Sequence, residues 1–167
     1  MAHWSRLFRH LFTRDAAVRR AFPQAALDRI EQAVRAAESR HSGEIRFAVE
    51  AALHPDAIRT GLTPRARATE LFAQLRVWDT EHNNGVLIYV LLADHAVEIV
   101  ADRGVAHGHV PQDEWDAVCR TMEMQFREGG FVEGAIAGVE AVADILARYP
   151  PAPRSGNQLP DAPVIIP

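Results

Sequence analysis

The chain has 167 residues, most simply one domain, which at this size buries about 68–70% of the surface of its unfolded chain. With a formal net charge of -4 and basic and acidic residues mixed, it presents no broad basic surface, so we expect no nucleic-acid partner. The single cysteine, Cys119, excludes an internal disulfide. No stretch has the ~18 apolar residues that a transmembrane helix needs, and the N-terminus does not have the pattern of a secretory signal. We therefore expect a cytoplasmic protein.

The first predicted element is a basic amphipathic helix over residues 1–22. Five arginines stand against the single acid Asp15, and large apolar residues recur at helical spacing: Trp4, Leu7, Phe8, Leu11 and Phe12. Two placements of this helix fit the pattern. Either the apolar stripe packs on the domain, or the helix lies on an anionic membrane surface or on a partner. The second placement would make the protein peripheral at the membrane.

A helix, a strand and a second helix follow in the predicted order. The helix spans about 24–40, after Pro23. Residues 44–53 alternate between apolar and charged, which indicates a strand with one buried and one wet face and suits the edge of a sheet. Thr63 and Pro64 then open a helix to about residue 81, whose apolar residues as far as Trp78 face inward.

The apolar run 86–92 predicts a strand that is buried on both faces and therefore has helices on both sides. Because a helix separates it from the strand at 44–53, the two strands should be parallel. The link 93–95 is long enough only for a hairpin, so the strand at 96–102 should run antiparallel.

Two more helices, about 111–127 and 132–148, complete the predicted domain over residues 23–150. Cys119 lies on the apolar stripe of the first and is expected in the core. The fold class is α/β, a three-layer α/β/α sandwich with a small mixed sheet. Proline and glycine dominate the start of residues 151–167, which predicts a disordered tail, with Val164-Ile165-Ile166 as an apolar exception.

The strand directions sort the polar residues to two ends of the sheet, roughly 23 Å apart. One end carries the candidate metal ligands Glu44, Asp102, His107 and His109, with Arg103 beside them, and the opposite end carries Asp94 as a separate candidate. Oxygen ligands favour calcium or magnesium, whereas the imidazoles beside Asp102 favour zinc or another transition ion. The alternatives at the first end are an ion pair of Arg103 with Glu44 or Asp102, and no site at all.

The ordered motifs resemble the TPM domain family. They are Ser42-Gly43-Glu44-Ile45, the helix from Phe72 to Trp78, Asn84-Gly85-Val86-Leu87-Ile88, Asp102-Arg103-Gly104, Trp115 and Phe131-x-x-Gly134. The resemblance implies an α/β/α sandwich, and some members of the family bind calcium or hydrolyse phosphate esters. The chain is most similar to the short soluble bacterial branch, which is often associated with the membrane protein LemA. Many relatives carry two acids and an arginine where this chain has Ala93-Asp94-His95.

Three hypotheses follow. The first is a TPM-like binding module that acts with membrane proteins, such as a LemA-like partner, or on a membrane surface through residues 1–22. The second is a divalent-metal-dependent acid phosphatase, in which a carboxylate holds the ion, Asp102 and Arg103 are the catalytic candidates, and Arg103 stabilises the phosphoryl oxygens. The third is a structural subunit whose exposed strand at 44–53 pairs with a second copy.

Overall fold

A computed structural model describes residues 2–13, 15–106, 110–149 and 156–167, without the side chains of residues 2–4, 15 and 106. Helices occur in groups of two or three before and between the strands, except that a short turn joins the second strand to the third. In order they are α1 (Ala2–Phe12), α2 (Asp15–Ala21), α3 (Gln24–Glu38), β1 (Glu44–Glu50), α4 (Pro55–Arg59), α5 (Pro64–Gln74), β2 (Gly85–Leu91), β3 (Ala96–Ala101), α6 (Arg103–Ala106), α7 (Gln112–Arg127), α8 (Phe131–Arg148) and β4 (Val164–Ile166).

The four strands form one mixed sheet in the order β3-β2-β1-β4. Strands β1 and β2 are parallel, with Glu44 opposite Gly85, and β2 and β3 are antiparallel, with Val86 opposite Ala101. Every residue of β2 is buried, because neighbours cover both its edges and both its faces. The strand directions predicted from the lengths of the connections are therefore confirmed.

Helices cover the sheet on both sides, which confirms the three-layer α/β/α sandwich. On one face, the residues of β1 and β2 at alternate positions, such as Phe47 and Ile88, join the apolar sides of α3, α7 and α8. On the other face, residues such as Leu87 and Tyr89 pack with α4 and α5. The near-continuous apolar sequence of β2 supplies side chains to both layers, as a doubly covered strand requires.

The N-terminal and central helices differ in detail from the prediction. Residues 1–22 do not form one helix, because α1 ends at Phe12 and α2 begins at Asp15. Thr63 Oγ1 accepts a hydrogen bond from Ala66 N at 3.1 Å, so the predicted cap of α5 is present. That helix ends at Gln74 rather than near residue 81, and the turn after it buries Val77 and leaves Trp78 half-exposed, not inward-facing as expected.

Residues 156–167 correct the prediction of a disordered tail, because they lie along the sheet. Val164–Ile166 forms β4, which pairs in parallel with residues 48–50 of β1. A β-branched run adds a strand readily even beside prolines, because the edge of β1 offers it unpaired backbone groups. Strand β1 is consequently internal over that stretch, not the edge strand that was predicted. Residues 151–155, also assigned to the tail, lie outside the described residues.

Candidate functional site

The amino end of the parallel strands gathers the first set of predicted site residues. Glu44 N donates to Asn84 O at 3.1 Å, and Asp102 N donates to Gly85 O at 2.9 Å. Glu44 and Asp102 therefore lie at one end of the sheet, with β2 between them, as the strand directions predict. Asp94 follows the other end of β2, so the two candidate regions are separate.

The carboxylate of Glu44 is engaged by the C-terminal segment. Its Oε2 atom accepts hydrogen bonds from the backbone N–H groups of Gln158 and Leu159, each at 3.0 Å, and the residue is only 5% exposed. Neighbouring Arg46 donates from Nη1 to Pro160 O at 2.7 Å and to Ala162 O at 2.5 Å. These contacts make Glu44 an anchor of the chain's own tail.

Asp102 and Arg103 stand at the start of the short helix α6. Asp102 Oδ1 accepts from the Arg103 backbone N–H at 2.6 Å, while Oδ2 is buried and has no hydrogen-bond partner within the described residues. Arg103 is exposed, and none of the ion pairs found among described side chains joins it to Glu44 or Asp102. Asp102 and Arg103 thus place a carboxylate oxygen and a guanidinium on adjacent residues, and neither takes part in an ion pair with another described residue.

A metal site at this end stays a prediction. His107 and His109, two of its four proposed ligands, lie outside the described residues. Within residues 2–13, 15–106, 110–149 and 156–167, no group of three or more histidine, cysteine, aspartate or glutamate side chains is arranged to hold a metal ion.

At the opposite end of the sheet, Asp94 holds helix α1 against the domain. Arg6 donates to Asp94 Oδ2 from Nε at 2.9 Å and from Nη2 at 2.7 Å, and Arg9 Nη2 lies 3.3 Å from Oδ1. His10 Nε2 lies 3.0 Å from Oδ1, while His10 Nδ1 accepts from Leu53 N at 2.9 Å, so the imidazole proton is directed at the carboxylate. We call this group of four side chains the Asp94 clasp.

The Asp94 carboxylate is charged within the clasp, although its side chain is only 8% exposed. Burial by itself raises the pKa of this carboxyl, but hydrogen bonding from His10 and Arg6, together with the guanidinium charge, outweighs burial and holds the pKa well below its usual range. An ionised carboxylate surrounded by three cationic or donor side chains is a structural anchor. Guanidinium and imidazole groups contact the oxygens of Asp94, and the separate metal site predicted at this residue stays a prediction.

The clasp leaves the apolar face of α1 turned away from the domain. Arg6, Arg9 and His10 share one face at the spacing i, i+3 and i+4, and that face meets Asp94. Phe8, Leu11 and Phe12 share the opposite face and are 54%, 48% and 78% exposed. We call these three side chains the apolar face of α1. Leu7, another member of the predicted stripe, is half-buried and packs against the core instead. Sequence periodicity indicated the stripe but not that these three members face outward, and the arginines inside the pattern are the signal that reveals it.

A buried polar group formed by Glu50, Arg67 and Tyr89 was not predicted from the sequence. Arg67 on α5 makes two hydrogen bonds to Glu50 on β1, at 2.8 and 3.0 Å, and Tyr89 Oη on β2 lies 2.5 Å from Glu50 Oε2. Burial, followed by the negative charge of Glu50, raises the pKa of Tyr89. The tyrosine is therefore a neutral donor, and the group joins α5 to the sheet.

Cys119 is not a nucleophile. Burial, with smaller contributions from Glu98 and Glu123, raises the pKa of its thiol to about 12, so the thiolate is absent at neutral pH. Its side chain packs against the core formed with α3 and α8, in the place that the sequence predicted.

No helix within the described residues is both long and apolar enough to cross a bilayer.

Comparison with known proteins places this geometry in a family. The model of the TPM domain matches residues 19–145. Among solved structures, the NMR structure of BA42 protein from the psychrophilic bacterium Bizionia argentinensis is similar, with 32% sequence identity and a TM-score of 0.70 over 84% of this chain and 92% of BA42. The search of curated proteins found no match. Since the family match covers more than half of the sequence, the chain belongs to the TPM domain family.

Proposed function

We propose that this TPM domain is a non-enzymatic binding module that docks reversibly on an anionic membrane surface through α1. The observation that carries the proposal is the outward direction of Phe8, Leu11 and Phe12. Large apolar side chains at i, i+3 and i+4 on one exposed helix face are typical of helices that lie in the interface of a bilayer. A helix that only completed the core would turn these residues inward.

Charge supports an anionic surface as the partner. Arg9 flanks the apolar face and is half-exposed even while it contacts Asp94, and Arg19 on α2 is exposed. A basic side chain near an anionic leaflet contributes about 1 kcal/mol. The chain as a whole carries a net charge of -4, so the attraction depends on these local cations and not on the overall charge.

The expected affinity is that of a peripheral protein. Full burial of a phenylalanine or leucine side chain is worth about 1.5–3 kcal/mol, and three partly inserted side chains on the apolar face supply a fraction of that each. Together with the arginines, this gives binding that salt and dilution reverse. Docking at the membrane would bring the domain to membrane proteins, and a LemA-like partner is the class that the family resemblance suggests.

Vesicle flotation tests the proposal. Full-length protein should float with vesicles of phosphatidylcholine and phosphatidylserine and much less with phosphatidylcholine alone. The triple variant Phe8→Ser, Leu11→Ser, Phe12→Ser should lose flotation while it keeps its circular dichroism spectrum. The matched control, Trp78→Ser with Met124→Ser, removes two other half-exposed apolar side chains and should float like the unmodified protein.

Two results would overturn membrane docking. The first is equal flotation of the triple variant and the control. The second is a dimer that dissociates in the triple variant, seen by light scattering, in protein that does not float, because the apolar face would then serve a second copy of the chain.

A metal-dependent phosphatase is the second candidate, favoured by the buried Oδ2 atom of Asp102, which has no hydrogen-bond partner in the described part of the chain, next to the exposed Arg103. In this proposal the carboxylate holds a divalent cation and the guanidinium stabilises phosphoryl oxygens. Hydrolysis of p-nitrophenyl phosphate with calcium, magnesium or zinc, abolished by Asp102→Asn and by Arg103→Ala, would support it. No turnover, or turnover that neither substitution changes, would remove it.

A further inference from the structure

A cavity opens at the carboxyl end of β2, between α2 and the turn that joins α7 to α8. Its volume is about 450 Å³, within the range of about 300–1,000 Å³ that small-molecule sites occupy. The carboxyl ends of parallel strands are a common location for ligands in α/β folds. The Asp94 clasp and the apolar face of α1 do not contribute to its lining, so the cavity is separate from the proposed membrane contact.

Most of the lining is apolar, and its aromatic part is held firmly. Phe126 and Phe131 are stacked, with ring centroids 5.4 Å apart, and Phe22 packs edge-on against both at 6.2 and 5.8 Å. Ala17 and Ala21 contribute small side chains from α2, so that wall leaves space. A rigid aromatic surface opposite small residues suits a flat or compact apolar group.

The polar side chains that line the cavity, among the residues that the structure describes, are neutral or basic. They are Arg20 from α2, His95 from the turn before β3, and the hydroxyl of Thr13. Arg20 takes part in none of the ion pairs or hydrogen bonds found among the described residues. Helix α8 also begins in the lining, at Phe131, where the unpaired N–H groups of its first turn add positive character.

We propose that this cavity binds a small organic carboxylate with an apolar or aromatic body. The body contacts the wall formed by Phe126 and Phe131, and the carboxylate lies between Arg20 and His95. A bidentate contact with the guanidinium is the geometry that a carboxylate prefers. A phosphate ion or other compact polyanion would lose hydration at the apolar wall without gaining contacts there, and a cationic ligand would meet Arg20.

A charge series on one aromatic body tests the proposal in the full-length protein. The probes are 1-naphthaleneacetate, the neutral 1-naphthaleneacetamide and the cationic 1-naphthylmethylamine, each titrated into 15N-labelled protein. The acetate should shift the amide signals of Val90, Leu92 and Gly129. The neutral amide should bind about tenfold more weakly, because it lacks the charge-assisted contact, and the amine should not bind.

Matched substitutions locate the site. Arg20→Gln should weaken the acetate about tenfold and leave the neutral amide unchanged, whereas Arg19→Gln, on an exposed residue outside the lining, should change neither. Ala17→Phe should fill the cavity and block all binding. Its control, Ala16→Phe, places the same ring on an exposed position of α2 that does not line the cavity.

Three outcomes would overturn the proposal. They are the absence of shifts at Val90, Leu92 and Gly129 at millimolar acetate, equal affinity for the three probes, and acetate binding that Arg20→Gln and Ala17→Phe leave unchanged. A well-dispersed spectrum of each variant shows that it folds, so that lost binding is attributable to the cavity. Shifts confined to Phe8, Leu11 and Phe12 would assign the probe to the apolar face of α1 and would equally contradict a ligand in the cavity.

Discussion

The two ends of the chain lie on the same side of the sheet, and a buried carboxylate anchors each of them by different means. Helix α1 is held by Asp94, whose oxygens meet Arg6, Arg9 and His10. The C-terminal segment is held by Glu44, whose Oε2 atom accepts two neutral backbone N–H groups, and by strand pairing. One end is attached through charge, and the other is attached as part of the sheet.

The difference explains where the apolar side chains of each segment go. In the C-terminal segment Leu159 and Ile166 are buried, so this segment completes the core beneath it. In α1 the charged side faces the domain and leaves Phe8 and Phe12 outside. A segment that docks through charge keeps a large apolar face available to a partner, whereas the C-terminal segment buries most of its apolar side chains and leaves Ile165 38% exposed.

The largest expected effect is that of Asp94→Asn, which leaves Arg6 and the buried His10 without the counter-charge. Because removing one partner of a largely buried pair strands the other, α1 should lose about 3 kcal/mol of docking free energy. Hydrogen exchange of the α1 amides measures this loss. The control Asp79→Asn, at an exposed residue 4.0 Å from Arg76, should change stability by less than about 0.5 kcal/mol. Equal effects of the two substitutions would contradict the clasp.

Acid should release α1 through the same carboxylate. The pKa of Asp94 is lower in the folded protein than the unfolded value of about 3.9. Its stabilisation is therefore complete at pH values well above 3.9 and declines as the pH falls below that value toward the folded pKa. The difference in α1 exchange protection between the unmodified protein and Asp94→Asn should be constant from about pH 7 to 5 and should shrink by about pH 3. A difference that stays constant down to that pH would contradict the assignment.

Glu44→Gln should have a smaller and more local effect. The substitution retains one acceptor oxygen but removes the charge that strengthens both hydrogen bonds to the tail, so we expect a loss of about 2 kcal/mol in the protection of β4 and Leu159. Hydrogen exchange should show no change in α1. The control Glu140→Gln, at an exposed residue of α8, should leave both ends unchanged. Loosening of α1 together with the tail would show that the two anchors are not independent.

The smallest expected difference between the two anchors is in their response to salt. Raising NaCl from about 0.05 to about 1 M shortens the Debye length several-fold, and the half-exposed Arg9 contact is the one most open to screening. We expect α1 to lose about 0.5 kcal/mol of docking free energy, while β4 changes less or gains protection. Greater salt sensitivity in β4 than in α1 would reverse the comparison.

Periodicity and connection lengths were sufficient to predict the central fold. The apolar run of β2, the short link to β3 and the helical patterns of α3, α7 and α8 each depend on neighbours in sequence, so strand direction and layering could be deduced. The helix α4 was missed because five residues are too few to show a period. Strand β4 was not predicted because the prolines around it outweigh the short apolar run Val164–Ile166.

The contacts that define the candidate site could not be deduced in the same way. Asp94 meets Arg6 across 88 positions in the chain, and Glu44 meets Gln158 across 114. Local spacing in the sequence carries no signal of either pair, so the hydrogen bonds that these two carboxylates accept from the two ends of the chain could not be predicted. The helical spacing of Arg6, Arg9 and His10 is visible in the sequence, but the sequence does not show that all three contact one carboxylate on a distant turn.

Hydrogen–deuterium exchange of the full-length protein, with and without vesicles that contain phosphatidylserine, observes both ends of the chain together and decides whether α1 presents its apolar face to the membrane. Peptides covering Phe8 to Phe12 should gain protection on vesicles, while those covering Val164–Ile166 should not change. No added protection in α1, or the same gain at both ends, would contradict a charge-docked helix that presents its apolar face to the membrane.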